Sequence, residues 1–229
     1  MGIHDGHRQR LKEEFVGHPD SFPDHKLLEL LLFYANPRGD TNPTAHLLMD
    51  RFGSLAGVLD ALPDELMKVP GVGFHTVALL KAAKEMGGRY LTARTDLDEI
   101  VNSSHDAGIL LRPYFFGART EKVYLLCLDG KGKSLGVRLI AEGSVNAAEV
   151  TTRGVVEAAL SLNATRVVLA HNHISGLALP SEEDKATTAY LDGVLSTVGV
   201  ELNDHLIFVD DDMVSLRDSG FWYQLNQER

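Results

Sequence analysis

Thr165-Arg166-Val167-Val168-Leu169-Ala170-His171-Asn172-His173-Ile174-Ser175-Gly176-Leu177-Ala178-Leu179-Pro180-Ser181-Glu182-Glu183-Asp184 decides how this chain reads. Val167 to Ala170 are small or β-branched apolar residues bounded by turn formers, the pattern of a buried strand. Side chains alternate along a strand, so His171 and His173 point to one side while Asn172 points to the other. Two imidazoles aimed at one point are candidate metal ligands. A loop of small residues then returns the chain to Asp184, eleven residues after His173, as a third donor. Zinc held by two histidines and one carboxylate keeps its fourth tetrahedral position open to water, which separates a catalytic site from a closed structural one. Ser181-x-x-Asp184 is at the same time a variant of the capping box that opens a helix, and it needs no metal for that. The two readings are compatible, since a helix start fixes both side chains.

The elements around this stretch alternate between strand and helix. Lys122 to Leu128 reads as a strand, Asp129-Gly130-Lys131-Gly132 as a hairpin turn, and Ser134 to Glu142 as a second strand. Val150 to Leu160 is an amphipathic helix, and Thr187 to Val198 is another, closed by Gly199. Val200 to Leu202 and His205 to Val209 read as two strands, with a short final one from Met213 to Leu216. Phe221-Trp222-Tyr223 is apolar enough to pack the tail back onto the domain. Ser103 or Ser104 caps a helix that ends near Gly117. This part of the chain, 103–229, is therefore an α/β domain with a mixed sheet.

The N-terminal part is helical. Residues 1–25 form a polar arm with one short helical pattern from His7 to Phe15, and residues 26–92 form a small all-α domain. Asp24 is an N-cap candidate for the helix Leu27 to Tyr34, with further helices at Pro43 to Phe52, Ser54 to Ala61 and Pro63 to Lys68. Val69-Pro70-Gly71-Val72-Gly73 is a turn into a helix carrying Val77, Leu80 and Lys81. Its glycines permit close backbone approach, so the amides at the helix start can face a phosphate. The segment resembles the helix-hairpin-helix motif, and that resemblance makes Gly71, Val72, Gly73 and Lys81 candidates for sequence-independent DNA contact. The same turn also serves as a plain connection between packed helices. Residues 93–102 read as the linker.

Composition narrows the classes of function. The net charge of −10 argues against a dedicated nucleic-acid binder, whose affinity comes from clustered Lys and Arg. The charge is uneven: residues 1–95 hold 11 basic and 12 acidic residues, against 11 and 20 in 96–229. Any contact with nucleic acid therefore belongs to the helical part. No apolar run is long enough to cross a membrane, and the start of the chain lacks a signal-peptide pattern, so a cytoplasmic protein is expected. The single cysteine, Cys127, cannot form an intrachain disulfide, and the paired cysteine ligands of zinc deaminases are missing.

His171-x-His173, seven residues, Ser181, two residues and Asp184 resemble the JAMM motif of MPN-type metalloproteases. His171-Asn172-His173 with Ser175-Gly176 and Pro180-Ser181 is similar to the RadC family in particular. Leu27 to Ala35, Gly53 to Lys84, Arg153 to Leu160 and Asp204-His205-Leu206-Ile207 extend the likeness over most of the chain. The resemblance implies a JAMM/MPN-like, cytidine-deaminase-like α/β fold behind a helix-hairpin-helix domain. It implies Zn2+ held by His171, His173 and Asp184, with Ser181 beside the metal or polarising the reacting carbonyl. It also implies a catalytic glutamate ahead of the first strand, where Glu121 fits best; Glu142 at the end of the next strand is the alternative, and periodicity does not choose between them. The chain departs from the family pattern at Ile174, where Pro is common, and at Thr152 and Gly154 around Arg153, where Pro and Glu are usual.

The function implied is a zinc-dependent metallopeptidase or isopeptidase-like hydrolase of a peptide or protein substrate, linked to DNA repair or recombination. The alternative is a non-enzymatic DNA-processing accessory protein with a structural or partner-binding metal domain. A metal-dependent nuclease would favour several carboxylates and magnesium over two imidazoles. Asn172, His205 and Arg153 have ordinary structural readings beside any role in the site.

Overall fold

A computed structural model describes residues 3–93, 100–143, 147–174 and 177–222. The chain forms two compact units, Met1–Arg89 and Tyr90–Arg229. In the first, α1 (Ile3–Gly17) is longer than the His7–Phe15 pattern, and its Leu11 is buried with Leu30 and Phe33 of α2 (Asp24–Ala35). Pro23 rather than Asp24 is the N-cap of α2, leaving Asp24 in the first turn, where a negative charge suits the helix dipole. The helices α3 (Asn42–Phe52), α4 (Leu55–Asp60), α5 (Pro63–Leu66) and α6 (Phe74–Ala93) follow. Leu28, Leu32, Leu48, Val58, Leu66 and Leu80 are fully buried at the centre of this unit.

Between α5 and α6 the Val72 amide donates to Val69 O, and Gly71 takes φ +85°. A Cβ at Gly71 would stand 2.6 Å from Thr44 Oγ1, whereas one at Gly73 meets open space. Val72 packs into the core. Lys81, expected to flank a phosphate, is placed otherwise. Its ammonium donates to the main-chain carbonyls of Leu59 (2.6 Å) and Ala61 (2.5 Å), closing the C-terminal end of α4. Free carbonyls at a helix end attract a cation, and here that demand takes the lysine.

The second unit is built on a five-stranded sheet in the order β2-β1-β3-β4-β5. Strands β1 (Lys122–Leu128) and β2 (Ser134–Glu142) form the expected hairpin, and β1 also pairs antiparallel with β3 (Arg166–Asn172). The helix α9 (Glu182–Thr197) crosses from β3 to the parallel strand β4 (Glu201–Val209), and β5 (Asp212–Ser215) closes the antiparallel edge. Helix α7 (Ser104–Leu111), capped by the Ser103 hydroxyl, packs on Tyr124, Leu126, Val168, Leu206 and Phe208. On the other face α8 (Ala147–Ser161) and α9 cover Leu125, Cys127, Val167, Leu169 and Leu202. Alternation along each strand thus gives two apolar layers, one per face. Most of the expected linker, residues 94–99, lies outside the described residues, as does Tyr223; Trp222 packs partly against the second layer.

The two strands expected at Val200–Leu202 and His205–Val209 are one. The pairing shifts between Val167↔Leu202 and Val168↔Asp204, so Asn203 is the extra residue of a bulge. Asp204 is buried yet satisfied: it accepts from the His205 amide, the Ser215 hydroxyl and the Arg217 amide. A polar pair that reads as a break is here an internal anchor for β5.

Two expectations follow for the fold. Ala at position 71 is strained by its positive φ and crowded by Thr44, so Gly71→Ala should lose at least about 1–2 kcal/mol in urea unfolding, while Gly73→Ala stays within about 1 kcal/mol. Equal stability of the two variants would contradict the turn geometry. Burial pushes the Cys127 thiol up to about 11, so it should resist a disulfide reagent at pH 8 until the protein is unfolded.

Candidate metal centre

The site forms where β3 ends and α9 begins. In a parallel β-helix-β unit, strand ends and helix starts converge at the carboxyl edge of the sheet, a common place for ligands. His171 is the penultimate residue of β3, on the face covered by α9. His173 follows, with its amide still bonded to Phe208 O at 2.9 Å. Both side chains therefore point to the same side, as alternation requires.

Asp184 reaches them from the first turn of α9. Ser181 is the N-cap: its hydroxyl accepts from the Asp184 amide at 3.1 Å, and the carboxylate accepts from the Ser181 amide at 2.8 Å. The Ser181 hydroxyl also donates to Asp184 Oδ2 at 2.6 Å. Helix capping and ligand orientation are thus one set of bonds. The serine's single proton is committed to the carboxylate.

His171 Nε2 lies 2.8 Å from His173 Nε2 and 3.2 Å from Asp184 Oδ1, and His173 Nε2 is 3.4 Å from Asp184 Oδ2. These three residues form the group, among the described residues, that could hold a metal ion. Tetrahedral zinc with bonds of about 2.0–2.1 Å sets its donor atoms about 3.3 Å apart. The two nitrogen–oxygen distances match, and the imidazole nitrogens need to part by about 0.5 Å. Burial alone would raise the Asp184 carboxyl, but His171 beside it and the Ser181 donors hold it well below the usual carboxylate range, ready as an anionic donor.

The two glutamates separate by register. Val123 pairs with His171 at the end of the β1–β3 ladder, and Glu121 stands two residues ahead of Val123. Alternation gives Glu121 the face of Val123, which is the face of the two histidines. Glu142 pairs with Lys122 on the opposite face, where it bonds the Lys122 ammonium at 3.1 Å and the Thr120 hydroxyl at 3.2 Å. Asn172 then acts on the backbone rather than on a ligand: it donates to Thr120 O at 3.3 Å and accepts from the Lys122 amide at 2.8 Å. Those residues stand on either side of Glu121, whose own carbonyl takes the Gly143 amide at 2.8 Å. The segment is held from both neighbouring strands.

Two further side chains complete the site. Buried His205 of β4 lies with Nε2 2.8 Å from His171 Nδ1, and its Nδ1 is 2.6 Å from the Thr188 hydroxyl. Thr188 also bonds Asp184 O at 2.6 Å. Burial pushes the His205 imidazole well below its ordinary range, leaving the ring neutral. The sequence pattern hints at Thr188 only through its spacing of four from Asp184, which puts both on one helix face. Arg153 pairs instead with Glu157 at 2.7 Å on the exposed side of α8. Ser175 and Gly176 of the intervening loop lie outside the described residues.

Residues 101–221 match the model of the RadC-like JAB domain. The chain belongs to the RadC-like JAB-domain family. It is 35% identical over 216 residues to a UPF0758 protein of Ruegeria pomeroyi, covering 94% of this chain and 96% of that one. It is 38% identical over 215 residues to a UPF0758 protein of Rhodobacter capsulatus, with 92% and 99% covered. A third, from Burkholderia thailandensis, is 34% identical over 204 residues, with 89% and 78% covered. In this RadC-like chain no helix among the described residues is long and apolar enough to cross a membrane.

Asn172→Ala removes two part-buried hydrogen bonds and leaves the Lys122 amide without its acceptor, so it should lower stability by about 1–3 kcal/mol in urea unfolding. An unchanged midpoint would mean that this clamp on the Glu121 segment carries no weight.

Proposed function

We propose that this RadC-like protein is a zinc-dependent hydrolase of the JAMM class, cleaving an amide bond in a peptide or isopeptide-linked protein substrate. The observation that carries the reading is the convergence of His171 Nε2, His173 Nε2 and the Asp184 carboxylate on one point beside the strand end that bears Glu121. Two nitrogens and one oxygen suit zinc, and three protein donors leave a tetrahedral position open. Zinc, when bound, supplies Lewis acidity that acidifies water and polarises a carbonyl. Glu121 takes the proton of the attacking water and returns it to the leaving amine. Ser181 holds the Asp184 carboxylate in its ligating orientation, and Asn172 holds the backbone on both sides of Glu121.

A second reading, a DNA-processing accessory role, rests on the turn at Gly71 ahead of α6, whose sequence resembles a helix-hairpin-helix motif. Salt-dependent DNA binding without amide hydrolysis would favour it.

Protein purified from zinc-replete medium should carry about one zinc per chain by elemental analysis, lost in His171→Ala and Asp184→Ala. Glu121→Gln should retain the metal while lowering hydrolysis of a panel of peptide and isopeptide substrates by about 10²- to 10⁴-fold. A folded wild type that holds no zinc would overturn the site, and full activity in Glu121→Gln would overturn the base.

A further inference from the structure

Thr188 and His205 touch neither Asp184's carboxylate nor the point where the three donors converge, yet they form an unbroken polar chain between two of the donor residues. The chain runs from Asp184 O to the Thr188 hydroxyl (2.6 Å), on to His205 Nδ1 (2.6 Å), and from His205 Nε2 to His171 Nδ1 (2.8 Å). Its direction follows from counting protons. A carbonyl oxygen only accepts, so the single proton of Thr188 is given to Asp184 O. His205 Nδ1 must then be the donor to Thr188. A neutral imidazole has one N–H, so His205 Nε2 is an acceptor, and His171 Nδ1 must donate to it. In the ligating form of His171, the neutral ring, Nε2 is then bare and faces the other donors.

The reverse direction is unfavourable. With a proton on His205 Nε2, the Thr188 proton would turn to His205 Nδ1, and two oxygen lone pairs would face each other at 2.6 Å between Thr188 and Asp184 O. Asp184 O sits in the helix that Ser181 caps, so it cannot move aside without disturbing the carboxylate. His205 is buried between β4 and α9, where a ring left without a partner would be costly.

We propose that Thr188 and His205 are positioning residues that fix the tautomer of His171, so that its Nε2 is presented unprotonated to the metal. A ligating histidine generally uses its second nitrogen to hold the ring in place, and loss of such a partner weakens the metal by about 10- to 100-fold. Here the partner is not a carboxylate but a second imidazole, itself oriented by a hydroxyl that is tied back to the backbone of a ligand residue. The proposal rests on the metal reading above, but the hydrogen-bond chain through Thr188 and His205 is made by the protein alone.

The test uses full-length metal-free protein labelled with 15N-histidine, in wild type, Thr188→Val and Thr188→Ser. Two-bond proton–nitrogen correlation spectra report which nitrogen of each ring carries hydrogen, and competition with a zinc chelator reports affinity. The expected wild type has Nδ1–H on both His171 and His205. Thr188→Val, folded by circular dichroism, should move the His205 proton to Nε2 and lose about 10- to 100-fold in zinc affinity, while Thr188→Ser restores both. A wild-type His205 protonated at Nε2 would overturn the relay, as would a folded Thr188→Val with zinc affinity within about twofold of wild type. Wild-type tautomers as expected with no zinc binding would uphold the relay and sink the metal reading instead.

Discussion

The carboxylate of Asp184 is asked to do two things at once. As the third residue of α9 it accepts the Ser181 amide and hydroxyl and so defines where the helix starts, and through its oxygens it faces both histidines at 3.2 and 3.4 Å. A capping box contributes on the order of 1 kcal/mol to helix stability, a modest sum for a domain of this size. Its larger effect is geometric. Because the helix can begin only where its cap is made, the third donor is delivered to the end of β3 by local backbone chemistry rather than by the conformation of the loop before it.

The sheet supplies the other half of the arrangement. Strand β3 is buried on both faces, between the α7 layer and the α8–α9 layer, and is hydrogen-bonded on both edges, by β1 and β4. A shift of register by one residue would turn His171 away from α9 and set Asn172 in its place. Packing on two faces therefore holds the imidazoles where the cap holds the carboxylate. At the same strand end the Asn172 amide spans the residues on either side of Glu121. Strand, helix start and glutamate are each fixed by separate contacts, so the site does not depend on any one of them being unusually rigid.

Much of this was legible in the chain because the signals are local. The run Val167 to Ala170, the turn Asp129 to Gly132 and the cap at Ser181 each declare an element within a few residues, and β1 and β2 fall where alternation puts them. What escaped depends on partners distant in sequence. Asn203-Asp204 looks like a break until Ser215 and Arg217 are seen to satisfy the buried carboxylate. Lys81 looks free until the carbonyls of Leu59 and Ala61 come within reach. Glu121 and Glu142 are equivalent by periodicity, and only the pairing of three strands puts them on opposite faces. His205, inside an apolar strand, has no local mark of its link to His171.

The one departure from the family pattern inside the loop lies apart from these contacts. Ile174 stands where the resemblance leads one to expect Pro, and it is 59% exposed, so its side chain carries little of the packing around the site. A proline there would restrict the loop backbone. The ligands, however, are set from the two ends: His171 and His173 by the sheet, Asp184 by the N-cap and by the bond from Thr188 to its carbonyl. The residues that would move the donors are the ones whose hydrogen bonds are spent inside the domain, Ser181, Thr188 and His205, and none of them is in the loop.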